Sequence, residues 1–300
     1  MSHRFNPLNN YEALSPDQLN QYLTRIHLQL VLPQEPTLEL LNTIIQAHSQ
    51  HIPFENGHLR FLNEKPSLEL TLLFDRLVTT KRGGYCFQQN ALLTAVLLAL
   101  GFKATPGAAR PIYWNTDLKQ HSLKGPTHQI VFVEFDQGAL YYVDVGYTRY
   151  ALKTALPIQD GIEMVCASDE VVRLESCGEY LEAGTGFVVR HKKPEWAPVI
   201  DGVESDGFSP TVFITLERYR HDPAGLFVNS LVLSIVTKTG GKAMILDSKF
   251  KRFEGSQHRD LDQIVEMTNV TELVVILKTE FGVELSLAEV DAANRLLFSA

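Results

Sequence analysis

At Gly101 the hydrophobic pattern of the chain changes period, and this restricts the fold more than any other feature. Upstream, apolar residues recur at helical spacing over 38–51, 68–78 and 91–100. Downstream they alternate, with Val, Ile, Tyr and Phe prominent in 102–114, 129–135, 140–145, 171–174 and 186–191. Helices followed by strands, instead of the two interleaved, predict an α+β chain with the two kinds of structure segregated. Punctuation supports this. Ser15-Pro-Asp-Gln18 and Ser286-Leu-Ala-Glu289 read as capping boxes, Ser67 as the cap of the helix over 68–78, and Gly101 and Gly282 as left-handed helix stops. Residues 1–100 are expected to form a helical bundle and 101–205 an antiparallel sheet or small barrel. Residues 206–300 are expected to be mixed, with strands near 210–219 and 227–237 and a hairpin turn at Gly240-Gly241.

Composition enters as a set of exclusions. At 300 residues, 45% hydrophobic and 21% charged, the chain is an ordinary globular protein of two or three units. A net charge of −8 argues against nucleic acid or an anionic membrane as partner. Cys86, Cys166 and Cys177 are too few and too scattered for a disulfide framework or a zinc site, which suits a reducing, cytoplasmic setting. The start of the chain lacks the apolar core of a signal peptide, and no window approaches the ~18 apolar residues of a membrane span.

The stretch from Thr80 to Asn90 carries the chemistry. Gly83 and Gly84 let the backbone approach a neighbour closely, and Cys86 follows at the opening of an apolar helix. The unpaired N–H groups of a helix start favour a thiolate there. Alone, such a cysteine is more often a small buried hydrophobe, so partners must decide. His128 opens the strand 129–135, and Asp144 lies between apolar neighbours in the next one, where an unpartnered carboxylate is costly. If the hairpin is centred on Gln137, Asp144 faces Ile130 and His128 is its diagonal neighbour on the same face. A register error of one would separate them. His121, in a polar loop, and Glu134, at the far end of its strand, fit less well. The order Cys…His…Asp is shared by cysteine proteases and transglutaminases.

Four segments together resemble the arylamine N-acetyltransferases: Arg82-Gly-Gly-Tyr-Cys86, Ile52-Pro-Phe-Glu-Asn56, Thr127-His128 and Asp144-Val-Gly-Tyr147. Phe227-Val-Asn-Ser-Leu231 and residues 277–285 are similar to that family's C-terminal lid, and the divergence suggests a eukaryotic, fungal member. The resemblance implies a helical bundle, a central antiparallel β-barrel and an α/β lid around a cysteine-protease-like core of Cys86, His128 and Asp144. It places Tyr147 and Arg149 on the acceptor side, Phe227 as an aromatic wall, and Gly125 and Thr127 at coenzyme A. Thr148 departs from the family's usual glycine, and Lys124-Gly-Pro-Thr127 from its usual approach to the histidine. The implied activity, of the kind used in xenobiotic metabolism, is ping-pong transfer of an acetyl or other short acyl group. It runs from acyl-CoA to aromatic amines or hydrazines, with no metal and no protein partner. Two alternatives stand beside it: a transglutaminase- or protease-like hydrolase using the same triad, and a malonyl-CoA-preferring transferase in which Arg149 reads the extra carboxylate.

Overall fold

A computed structural model describes residues 12–115, 120–123, 127–147, 151–176, 186–192, 208–215 and 229–299. Helix α1 (Pro16–Arg25) starts with the expected capping box: Ser15 Oγ accepts from the Gln18 N–H, and the Gln18 side chain accepts from the Ser15 N–H. After α2 (Leu38–His51) come the two-residue strand β1 (Phe54–Glu55) and the short α3 (Gly57–Leu62). Ser67 does not cap a helix at 68. Its Oγ accepts from the N–H only two residues on, at Glu69, so the chain turns first. Helix α4 then begins at Leu70 (Leu70–Phe74) and runs into a π-helical turn over Asp75–Thr79. Helix α5 (Cys86–Ala99) is buried almost all round, and Gly101, at φ 83°, ends it as expected.

The middle of the chain forms strands β2 (Lys103–Asn115), β3 (Gln120–Leu123), β4 (His128–Glu134), β5 (Leu140–Val143) and β6 (Leu156–Pro157). It continues as β7 (Ile162–Val165), β8 (Val171–Ser176), β9 (Gly186–Lys192) and β10 (Phe208–Thr215). These make one nine-stranded sheet ordered β6-β5-β4-β2-β10-β9-β8-β7, with β3 added to β2. Strand β10, grouped by the sequence reading with the last third, pairs instead with β2 and β9. The expected barrel is not closed among the described residues. Only residues 158–161 separate the two edge strands, so the sheet must curl until its edges are near each other. No ladder joins them, however. The Ile158 N–H bonds back to the Leu140 carbonyl, the Gly161 N–H bonds to Leu174, and Pro157 has no N–H to offer.

Both faces of β4 are buried, so its apolar run is nearly continuous. One face, with Val131, Val133 and Val143, packs on Ile44, Leu77, Leu92 and Val96 of the helices. The other, with Ile130, Phe132 and Tyr142, packs inside the curl on Leu156, Val172, Leu174 and Val189. The last third is a meander of β11 (Val232–Val236), β12 (Lys242–Leu246), β13 (Lys249–Phe253) and β14 (Gln263–Glu266). Helices α6 (Val270–Phe281) and α7 (Leu287–Ala293) cover it through Leu273, Leu277 and Phe281. Strand β1 adds itself to β11, which ties the front of the chain to the back. No helix among the described residues is long and apolar enough to cross a membrane.

Candidate active site

Cys86 is the first residue of α5 and is buried. The turn that delivers it is built against the segment Pro53–Asn56. Gly84 donates to the Pro53 carbonyl at 3.3 Å and accepts from the Glu55 N–H at 3.1 Å. A Cβ at Gly83 would lie 2.1 Å from the Pro53 oxygen, so only glycine fits this approach. Glu55, fully buried, accepts from Arg82 Nε (2.8 Å) and Nη2 (3.0 Å), Arg76 Nη2 (3.1 Å) and the Gly83 N–H (3.1 Å). Burial alone would raise its pKa, but the two guanidinium groups bring it below the usual value, and the buried carboxylate stays charged. Arg82 also reaches Glu289 of α7 at 2.9 Å. Behind the turn, Gln89 donates to the Pro53 carbonyl at 2.6 Å and accepts from His48 Nε2, also at 2.6 Å. That fixes His48 with its proton on Nε2, so its Nδ1 accepts from the Tyr22 hydroxyl at 2.8 Å.

The hairpin brings the other two groups. Its ladder runs from Val131 opposite Val143 to Glu134 opposite Leu140, which centres it on Gln137 in the left-handed conformation (φ 63°). Extended by one pair, this register sets Asp144 opposite Ile130 and brings His128 Nε2 to Asp144 Oδ2 at 2.6 Å. The other ring nitrogen is thereby left for Cys86, whose sulfur acts on the ring. Burial opposes a charged His128, yet the Asp144 carboxylate and the Cys86 sulfur together push its pKa up to about 10. Asp144, 2% exposed, is bonded at both oxygens: Oδ2 by His128 and the Tyr142 hydroxyl, Oδ1 by Asn90 Nδ2 and the Gly146 N–H. Its pKa lies below the ordinary value, burial being outweighed by His128 and these donors.

Of the other residues singled out in the sequence, Thr127 is half-buried at the mouth of β4, and the Tyr147 ring meets His128 edge-on at 5.2 Å. Gly125, Arg149 and Phe227 lie outside the described residues. Glu134 is exposed at the far end of its strand, as expected. Cys166 is fully buried, which pushes its thiol up to about 12 and leaves it inert. No cluster of His, Cys, Asp or Glu able to hold a metal occurs among the described residues.

Sequence reasoning missed four contributors. Asn90 is one turn beyond Cys86 and so on its face of α5, a spacing that could have flagged it. Its amide donates to the Gln129 carbonyl and to Asp144, and its oxygen accepts from the Val145 N–H, joining the helix to both strands of the hairpin. Gly146 lets the hairpin approach: a Cβ there would sit 2.5 Å from Cys86 Cα. Tyr142 is two residues before Asp144 and hence on its face. Glu289 gave no signal beyond its capping box.

Comparison with known proteins agrees in sequence and in fold. The family model described as N-acetyltransferase matches residues 37–290. An arylamine N-acetyltransferase of Mycobacterium tuberculosis is 34% identical over 205 residues, 68% of this chain and 69% of that protein. Arylamine N-acetyltransferase 2 of Rattus norvegicus is 28% identical over 83% of this chain and 88% of its own. Among solved structures, the arylamine N-acetyltransferase of Salmonella typhimurium superposes with a TM-score of 0.76 at 23% identity, over 95% of this chain and 99% of that one. That of Mycobacterium marinum in complex with CoA gives 0.73 at 21% identity, over 93% and 100%.

Proposed function

The chain belongs to the arylamine N-acetyltransferase family, and from that premise we infer that it moves an acetyl group from acetyl-CoA to an aromatic amine through Cys86. The observation that carries the reading is the buried cysteine at the start of α5, set beside a histidine that a carboxylate holds from behind. His128 is protonated through neutral pH and set against Cys86, whose sulfur reacts in the thiolate form. The thiolate attacks the thioester carbonyl, and the oxyanion is met by backbone N–H groups near the start of α5. As the intermediate collapses, the carbon–sulfur bond to coenzyme A breaks. The departing thiolate takes the His128 proton, leaving acetyl-Cys86 and a neutral imidazole. An arylamine, unprotonated at neutral pH, then attacks the acetyl carbon. His128 removes a proton from its nitrogen, and the Cys86–carbon bond breaks to restore the thiolate–imidazolium pair. Asp144 keeps the ring oriented throughout, and no step requires a metal.

In this reading Thr127, with Gly125, approaches coenzyme A, and Tyr147, with Arg149 and Phe227, borders the acceptor. Three units serve the chemistry: 1–100 carries the nucleophile, 101–205 carries its base and acid, and 206–300 closes over them after lending β10 to the large sheet. A cytoplasmic setting would keep Cys86 reduced.

Intact-mass spectrometry tests the central claim. Acetyl-CoA alone should add one acetyl group, which disappears on adding an arylamine and never forms in Cys86→Ala. An adduct persisting in that variant, or mapping to Cys166 or Cys177, refutes it.

A further inference from the structure

The carboxylate that holds His128 is shared. Asp144 Oδ2 accepts from His128 Nε2 at 2.6 Å and also from the Tyr142 hydroxyl at 2.8 Å. Tyr142 is 2% exposed, and its ring packs with Ile130, Phe132 and Leu156 inside the curled sheet. A phenylalanine would fill the same space, so packing accounts for the ring and leaves the hydroxyl to Asp144. Burial first, then the adjacent carboxylate, hold the phenol far above its usual pKa, so it stays protonated and can only donate to Asp144. The groups facing the pair are Cys86 from α5, Tyr147 from the loop after Asp144, and Cys166 on the Tyr142 side.

We propose that Tyr142 is a positioning residue that tempers the Asp144 carboxylate and thereby sets how firmly His128 keeps its proton. The inference rests on reading Cys86, His128 and Asp144 as the acyl-transfer group. A hydrogen bond donated to an anion stabilises its charge and lowers its basicity, and two donors on one oxygen draw on the same electron density. An imidazolium held too firmly is slow to protonate the departing coenzyme A thiolate. One held too loosely gives up the ion pair with Cys86. The phenol moves His128 away from the first extreme.

The consequence has a sign. In Tyr142→Phe the alkaline limb of kcat/KM for acetyl-CoA should move up by about half a pH unit or more, a fraction of the ~1–3 units that a neighbouring opposite charge supplies. The His128 ring resonances, followed by NMR, should titrate with the same displacement. Placing 3-fluorotyrosine at position 142 makes the phenol more acidic and a stronger donor, and should move both readouts down while keeping the volume. Opposite shifts in the two variants support the proposal. An unmoved or downward shift in Tyr142→Phe overturns it, whatever happens to the melting temperature. The acyl-transfer reading fails separately, through the absence of an acetyl adduct on Cys86, because the NMR titration needs no turnover.

Discussion

Asn90 joins the nucleophile's helix to the hairpin that carries its base, and every polar atom of its side chain is used. Asn90→Ala therefore leaves a buried Asp144 oxygen, the Gln129 carbonyl and the Val145 N–H each short of a partner. Such vacancies cost about 1–3 kcal/mol each, so urea unfolding should show a loss of at least that size. Acetylation of Cys86 should slow roughly tenfold or more as Asp144 loosens, which corresponds to ~1.4 kcal/mol or more on the barrier. A variant that acetylates at the wild-type rate would show that Asn90 is only a strut. Gly146→Ala is a sharper probe of the same contact. Its methyl would meet Cys86 Cα and Cβ at 2.5 and 2.9 Å, and the backbone atom has nowhere to swing. Overpacking of this kind costs ~1–3 kcal/mol, and here the strain falls on the nucleophile itself. Acetylation, read by mass, should fail while the far end of the sheet keeps its hydrogen-exchange protection.

The element that matters most is the turn before α5, because segments distant in the sequence hold it in place. Glu55 sits between Arg76 and Arg82, and Arg82 continues to Glu289 in α7. Removing one partner of a buried ion pair leaves an uncompensated charge, at about 3–5 kcal/mol. Glu55→Gln deprives both arginines and should lower stability by that amount. Glu289→Gln leaves the Arg82–Glu55 fork in place and should cost clearly less. Chemical denaturation of the two variants checks the order, and equal losses would mean that the cluster is not centred on Glu55. At this scale much was legible in the sequence. The capping boxes at Ser15 and Ser286, the stop at Gly101 and the hairpin centred on Gln137 are decided by residues within a few positions of one another. Pro-Phe-Glu-Asn and Arg-Gly-Gly were visible as motifs, but their joining through Glu55 was not, because 26 residues separate Glu55 from Arg82 without any periodic relation.

Across the whole molecule, the buried histidines predict how stability varies with pH. His48 and His58 are each held down to about 4, by burial first; nearby arginines add to this, Arg76 most strongly at His58. Their contribution is complete above the ordinary histidine value of 6.5, where both states are neutral, and is lost as pH falls toward 4 and only the unfolded chain takes up protons. His128, raised to about 10, has the opposite sign: its contribution is complete below 6.5 and is lost as pH rises toward 10. In the acyl-transfer reading, however, the proton that His128 holds is the one Cys86 gives up, and the unfolded chain carries that proton as a thiol. The pair therefore adds little slope near neutral pH, and stability should be nearly flat just above about pH 6.5 and fall below it. Thermal melts between about pH 4.5 and 8 would show this, and His58→Asn should flatten the acid limb. A wild-type melting temperature that does not fall between about pH 6.5 and 4.5 contradicts the assignment.

The sequence alone determined the segregation of helices from strands, the bounds of α2, β4 and β9 to within a residue, the family, and the proximity of His128 to Asp144. Each depends on local spacing or on the register of a single tight turn. Only the tertiary structure decided that β10 lies between β2 and β9, that the sheet curls without closing, and that Asn90, Glu289 and Tyr142 attend the site. The physical reason is the same in each case. A strand's ladder groups are backbone and carry no record of their partner, so pairing across long separations is chosen by which faces can be buried together. The hydroxyl of Tyr142 reads in the sequence as part of one more aromatic in an apolar strand. What makes it a donor to Asp144 is the packing inside the curl, which leaves that carboxylate as its partner.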